Sequence, residues 1–554
     1  MVTSQHPLAT RAGVLILEAG GNAADAAVAT ALALAVVYPQ AGNLGGGGFA
    51  VWVAHDPDEA PLVLDFRETA PEALTPEAFL DESGRVVPER SLSGPLAVGV
   101  PGTPFGLWLF HRRLGRLPFA QVARPAIDLA REGFAVDEFL ARDLVREKER
   151  RRLTGPGMAR ALFYPRDEPL REGTLLRQEE LAATLEELVR RGPAGFYSGR
   201  VAEAVVGTLQ PLGGVMDLED LAGYEPVWRE PLRGWFRGLE IVTVPPPSSG
   251  GLVLLQVLAM LDGFPLDEEK VRTRDSAREV DPDSEVARVG LSGRAVHWWI
   301  EAMRRAFADR ALHMGDPDFH TVPVADLLAP SWIAERRISI GELADPHVEA
   351  FRFPAPEGND TTHLSVLDRE GNAVSLTTTL NTRFGSGLMV PGVGFLLNNE
   401  IDDFAVAAQS PNTYGLVGGS ANAIEPRKRP LSSMTPAIVR EGGQTVRMVL
   451  GSPGGPRIIS SVIQVLLRTE VYGQSLEEAV AAPRLHQQWV PTATRFEEGW
   501  DPLLLQDLRN RDHDVELSQT SFGAVQAIRV EVGGVPEGVS DPRRGGAALA
   551  EGGP

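Results

Sequence analysis

The 554-residue chain contains no cysteine. That absence excludes disulfides, thiolate nucleophiles and cysteine-ligated metals together. It leaves the compartment open. Positive charge is short: the formal net charge is −21, so nucleic acid and anionic membranes are poor partners. The acidity itself reads as a source of solubility. Lysine is scarce, and nearly all the basic side chains are Arg. No apolar run is long enough for a membrane span. The most apolar stretch, Ala23–Val37, contains Asp25 and falls short of the roughly 20 residues that a spanning helix needs. The first residues, Met1–Pro7, lack the basic region and apolar core of a signal peptide. The expectation is a cytoplasmic protein on this chain as given, or a periplasmic or secreted one if a leader is missing.

What is present describes a globular chain. Apolar residues make up 43% and charged residues 23%, enough for one large domain or several ordinary ones. Pro7–Glu18 predicts a helix stopped at Gly20-Gly21. Asn22 with Asp25 three positions on resembles a capping box for a second helix. That helix is apolar all round, hence internal, and ends at Tyr38-Pro39. Gly42-Asn43-Leu44-Gly45-Gly46-Gly47-Gly48 then leads into a strand at Phe49–Val53, with Leu62–Phe66 as its hairpin neighbour. Residues 100–235 read as helical. Pro245–Gly251 is a stiff turn into an apolar helix, Leu252–Leu261. Residues 269–293 are charged, lack periodicity and read as an exposed insertion. Strands return over 361–400, Val446–Leu450 and Gln526–Val532. Sheets at both ends of the chain with helices between them imply a layered α+β fold.

The chemistry centres on Asp360-Thr361-Thr362-His363-Leu364-Ser365 and the returning run Ala373–Asn381. A threonine stands at the head of a strand deep inside the chain, as a self-cleaving hydrolase requires. Its hydroxyl first cuts its own peptide bond and then works as an N-terminal nucleophile. Arg67 ends a strand within Asp65-Phe66-Arg67-Glu68. It could clamp a substrate carboxylate or pair with Asp65 or Glu68. Glu400-Ile401-Asp402-Asp403 puts three carboxylates in four residues, suited to a substrate ammonium, a cation or a solvated turn. The spacing matches no EF-hand. Ser432-Ser433 can donate two hydrogen bonds to a carboxylate but lacks the G-x-S-x-G elbow. The open turn Gly451–Arg457 can form an oxyanion hole. The glycine tetrad Gly45–Gly48 precedes a strand, so a tight, closely packed turn is preferred over a phosphate cradle.

In this order the motifs resemble the γ-glutamyltranspeptidase (glutathione hydrolase) family of N-terminal nucleophile hydrolases. The likeness also takes in Ala308-Asp309-Arg310, Gly315–Phe319 and Ser540–Arg543. It implies a four-layer αββα sandwich and cleavage at Asp360–Thr361 into a large subunit, 1–360, and a small one, 361–554. Thr361 is then the nucleophile, with Thr362 as its nearest rival, and Thr379 hydrogen-bonds it. His363 is structural. Arg67, Ser432 and Ser433 hold the α-carboxylate of a γ-glutamyl group. Asn381, Glu400 and Asp403 hold its α-ammonium, and Gly454 and Gly455 supply the oxyanion-hole N–H groups. Residues 408–420 resemble a lid, gated by Tyr414 and hinged at Gly418-Gly419. The implied partners are small molecules: glutathione, γ-glutamyl amides, and acceptor amino acids or water. No cofactor or metal is called for. The same fold also hosts cephalosporin (glutaryl) acylases and γ-polyglutamate-processing enzymes, and a non-catalytic binding relative is a third possibility.

Overall fold

The capping box forms. Asn22 Oδ1 accepts the N–H groups of Ala24 and Asp25, and the Asp25 carboxylate accepts the Asn22 N–H in return. It separates α1 (Pro7–Glu18) from α2 (Ala23–Val37), which is buried along its whole length. The computed structural model describes residues 1–150, 153, 158–273, 288–345, 361–406, 412–416, 418–531 and 533–552. The expected scissile bond, part of the lid and the centre of the 269–293 segment lie outside the described residues.

Two sheets carry the architecture. Their strands are β1 (Val2–Ser4), β2 (Gly47–Val53), β3 (Leu62–Asp65), β4 (Val227–Arg229), β5 (Leu232–Phe236), β6 (Leu239–Thr243), β7 (Thr361–Leu367), β8 (Ala373–Thr379), β9 (Ala437–Glu441), β10 (Thr445–Gly451), β11 (Gln526–Arg529), β12 (Glu537–Ser540) and β13 (Ala547–Leu549). The first sheet has the order β13-β1-β7-β8-β2-β3-β4 and the second β12-β11-β10-β9-β6-β5. Neighbours within each are antiparallel.

Side-chain alternation decides how the layers stack. In β2, Ala50 and Trp52 face α1, α2 and α3 (Phe119–Glu132). Phe49, Val51 and Val53 face the other way, into a cluster with Val242, Ile438, Val449 and Ile528 of the second sheet. The outer side of the second sheet is covered by α4 (Gly250–Leu261), α5 (Gly293–His313) and α6 (Arg457–Glu470). The result is the αββα sandwich. A strand buried on both faces is apolar throughout, which is why Phe49–Val53 shows no polar alternation.

Three expectations need correction. Val227–Arg229 and Leu232–Phe236, inside the stretch read as helical, are strands. They form the outermost strand of the first and of the second sheet, with aromatic and β-branched residues that suit a pleated surface. The flanks of the 269–293 segment pair as a hairpin, Lys270–Thr273 with Arg288–Leu291. Residues 381–399 form isolated bridges rather than strands, because Asn381, Phe384, Gly385, Gly387, Gly392 and Gly394 all have positive φ, which breaks a strand. The glycine tetrad is only partly the turn expected: Gly47 and Gly48 already belong to β2, but the close packing is there, since a Cβ on Gly48 would lie 2.2 Å from the Thr377 carbonyl oxygen.

Ile438 is fully buried between the two sheets. Ile438→Ala is expected to lower unfolding stability by about 2–5 kcal/mol, read by urea denaturation. A loss no larger than that of an exposed substitution would contradict a sandwich held together by this layer.

Candidate active site

The head of β7 lies at the centre of the molecule. Register pairs Thr361 with Thr379 on β8, and Thr379 with Gly47 on β2. Thr361 Oγ1 donates to Thr379 Oγ1 at 3.4 Å, and Thr379 Oγ1 accepts the Asn381 N–H at 2.8 Å. Alternation turns Thr361, His363 and Ser365 toward the second sheet and Thr362 toward the helices. The Thr362 hydroxyl is buried there without a hydrogen-bond partner among the described residues. His363 lies between Thr377 Oγ1 (2.8 Å from Nδ1) and Ser365 Oγ (3.1 Å from Nε2). Burial pushes its imidazole down to about 3, so it is a neutral bridge within the sandwich.

A narrow cleft opens beside Thr361. Ten of the eleven residues expected in the site line it: Arg67, Thr361, Thr379, Asn381, Glu400, Asp403, Tyr414, Ser432, Ser433 and Gly455. Gly454, the eleventh, is next in the chain, in the turn that leads into α6. The N–H groups of Gly454 and Gly455 meet no acceptor among the described residues. They stand at a helix N-terminus, where the backbone favours negative charge. Gly455 has φ 55, and a Cβ there would lie 2.8 Å from the Tyr414 ring. Tyr414 itself closes over the strand end, its Oη donating to the Asn381 carbonyl at 2.7 Å.

Arg67 is the electrostatic hub. It is 1% exposed, with Nη1 2.5 Å from Glu400, Nη2 2.5 Å from Asp403 and Nη1 3.5 Å from Glu68. Both readings of this arginine therefore meet at one place: it is ion-paired and it lines the cleft. Burial pushes Glu68, Glu400 and Asp403 upward against the pull of the guanidinium. Three carboxyl groups thus face one guanidinium beside Thr361, and a further cation there would favour their ionised forms. Ser432 is anchored through its backbone, its N–H on the Pro247 carbonyl and its own carbonyl accepting from Ser249 N–H and Oγ. The Ser432 hydroxyl faces the cleft and accepts the Met434 N–H at 3.1 Å.

Several residues of the site were not singled out from sequence. Met434 and Ile458 form part of the cleft wall, and apolar side chains beside a motif carry no chemical signal of their own. Glu68 was visible only as a salt-bridge partner of Arg67. Asp402, one of the three carboxylates noted in the sequence but given no role of its own, is buried next to the cluster, accepting from Ser91 Oγ at 2.8 Å and Thr413 N–H at 3.0 Å. Burial pushes it up to about 7.

Comparison with known proteins places this geometry. The family described as gamma-glutamyltranspeptidase matches residues 9–551. The glutathione hydrolase proenzyme of Escherichia coli (strain K12) is 42% identical over 547 residues, which are 98% of this chain and 90% of that relative. Among solved structures, the cephalosporin acylase from Bacillus halodurans superposes with a TM-score of 0.84 at 29% identity, covering 99% of this chain and 94% of its own. The Helicobacter pylori gamma-glutamyltranspeptidase gives 0.55 at 38% identity, covering 62% of this chain and 92% of its own. Among the described residues no helix is long and apolar enough to cross a membrane.

Asp402 supplies a pH test. Its folded value, about 7, lies above the ordinary 3.8. The stability that its protonated form contributes is therefore fully present below 3.8 and lost as pH rises through 7. Asp402→Asn, neutral throughout, should flatten that part of the stability-against-pH curve, whose slope through one group is at most about 1.4 kcal/mol per pH unit. Parallel wild-type and variant curves between pH 4 and 7 would contradict the assignment.

Proposed function

This chain belongs to the γ-glutamyltranspeptidase family, and we propose that it is a precursor that cuts itself at Asp360–Thr361 and then uses Thr361 to transfer γ-glutamyl groups. The enzyme is a γ-glutamyltransferase and glutathione hydrolase. In maturation the Thr361 hydroxyl attacks the Asp360 carbonyl carbon. The acyl group moves from the Thr361 nitrogen to its Oγ1, and water hydrolyses the ester. This frees the Asp360 carboxyl and the Thr361 α-amine. An α-amine with an ordinary value near 8 can act as base at neutral pH.

In turnover that amine takes the proton of its own hydroxyl as Oγ1 attacks the γ-carbonyl of the substrate amide. The N–H groups of Gly454 and Gly455 hold the oxyanion, each worth roughly 3 kcal/mol in the transition state. The proton passes to the leaving amine, and a γ-glutamyl-threonyl ester remains. Water or the amine of an acceptor amino acid attacks it next and restores the hydroxyl. Thr379, already bonded to Thr361 Oγ1, fixes the rotamer of the nucleophile.

The observation that carries this reading is the juxtaposition in one cleft of a strand-head threonine, two serines and a guanidinium for a carboxylate, and several carboxyl groups for an ammonium. The α-carboxylate of a γ-glutamyl group would take Arg67, Ser432 and Ser433. Its α-ammonium would take Asn381, Glu400 and Asp403. A glutaryl group has no ammonium and would add no second cation to the Arg67 that Glu400 and Asp403 already share. This favours the γ-glutamyl reading over that of an acylase.

Two experiments test it. Thr361→Ala should stay uncut and inactive on a denaturing gel, while Thr362→Ala should mature and turn over. Normal processing of the Thr361 variant would move the nucleophile elsewhere. Hydrolysis of γ-glutamyl-p-nitroanilide should exceed that of the glutaryl analogue by about 2 kcal/mol or more in kcat/KM, roughly 30-fold. Equal rates would count against the ammonium site.

A further inference from the structure

Arg67 is held along its backbone as well as at its tip. Its N–H donates to Asp65 Oδ1 at 2.9 Å, and its carbonyl accepts from Tyr224 Oη at 3.0 Å. The first bond is an aspartate turn onto the residue two positions on, formed where β3 ends and the arginine leaves the sheet. Arg67 Nε donates to the Pro430 carbonyl at 3.2 Å, in the segment that leads to Ser432 and Ser433.

Asp65 is fully buried, and its other oxygen opens onto a charged network. Asp65 Oδ2 lies 2.7 Å from Arg229 Nε and 3.6 Å from Arg429 Nε. Asp318 closes the Arg229 fork, at 2.7 Å from Nη2 and 3.2 Å from Nη1. Arg429 donates through Nη2 to the Glu225 carbonyl at 2.7 Å, and its Nη1 is 3.6 Å from Asp318. The Arg429 N–H donates to Asp316 Oδ2 at 2.7 Å. Two guanidinium groups and three carboxylates thus tie the end of β3, the end of β4 and the Gly315–Phe319 turn to the residue just ahead of Pro430. None of the five lines the cleft. Buried ion pairs add little net stability, but a buried network whose partners are all specified makes rigid what it holds.

We propose that Asp65 is a positioning residue for donor recognition: with Arg229, Arg429, Asp316 and Asp318 it holds Arg67 and Ser432-Ser433 at the spacing that an α-carboxylate requires, and so sets the selectivity for donors that carry this group. The two sides of that clamp lie on either side of Thr361 in the sequence. Cleavage there leaves them on different chains, so the backbone no longer links them and the charged network does. Asp65→Asn can still accept the Arg67 N–H, but it turns an amide NH2 toward two guanidinium groups, and the strand end has to shift. The inference rests on the γ-glutamyl reading of the cleft given above.

The test uses the mature protein and two competitive ligands, L-glutamate and 4-aminobutyrate. Both carry an amino group and a carboxyl in place of the γ-carbonyl; glutamate alone carries the α-carboxylate. Wild type should bind glutamate the more tightly. In Asp65→Asn the Ki of glutamate and the KM of γ-glutamyl-p-nitroanilide should rise about tenfold, while kcat and the Ki of 4-aminobutyrate stay within about twofold. Tyr224→Phe removes only the donor to the Arg67 carbonyl and should shift the same two constants about threefold. Arg229→Met should resemble Asp65→Asn, and Arg229→Lys, which keeps a cation on Asp65, should recover part of the selectivity. The Tyr224 and Arg229 variants carry the test if Asp65→Asn does not mature. A purely structural network would lower the thermal midpoint and leave the ratio of the two Ki values as in wild type. That unchanged ratio would overturn the proposal, and so would equal weakening of both ligands. A wild type that does not distinguish the two ligands brings down the γ-glutamyl reading and this inference with it, so the two failures are read apart.

Discussion

The hydrogen-bonded ladder through β7, β8 and β2 is the constraint on which the rest depends. It aligns Thr361 with Thr379 and Thr379 with Gly47. A slip of one residue along β7 would exchange the two faces of the strand. It would turn Thr362 into the cleft and send Thr361 among the helices. The sandwich prevents that slip from both sides. Leu364 and Val366 are held in the helical core, and Ser365 bonds the Gln526 carbonyl across the inter-sheet space. The fully buried α2 and the glycine run at the start of β2 serve the same end, since both pack against the sheet that carries the strand head.

Charge is the second organising element. Buried ion pairs are weak sources of stability, because desolvation offsets most of the attraction. Stability alone therefore does not explain a site with Arg67 facing Glu68, Glu400 and Asp403; on the reading proposed above it is a recognition device for a zwitterionic amino-acid group. Burial holds the three carboxyl groups toward their protonated forms, and an incoming ammonium would favour the ionised ones. Arg310, on the far side of Asp403, is a second cation within electrostatic reach of that carboxylate.

Much of this was legible in the sequence because its signals are local. A capping box and a largely apolar helix each specify a short segment, and each formed as expected; the glycine run gave its close packing but yielded Gly47 and Gly48 to the strand. The candidate site was legible as a set of ordered motifs, and the structure gathers ten of its residues around one cleft. What stayed hidden depends on distant contacts. Val227–Phe236 resembles its helical surroundings until two sheets offer it an edge. Residues 381–399 follow a strand and were expected to continue as strands, but positive φ at Asn381 and Phe384 bends them around the site instead. Glu68 and Arg310 look like ordinary surface charges in the sequence. Only the fold reveals that both are buried.

The central claim is that one threonine becomes the first residue of a new chain. Intact mass measurement of the active protein, with sequencing of the amino terminus of each chain, tests it most directly. The account predicts two chains, the smaller beginning Thr-Thr-His-Leu-Ser at Thr361. Full activity from a single uncut chain, or a small chain with a different first residue, would contradict it.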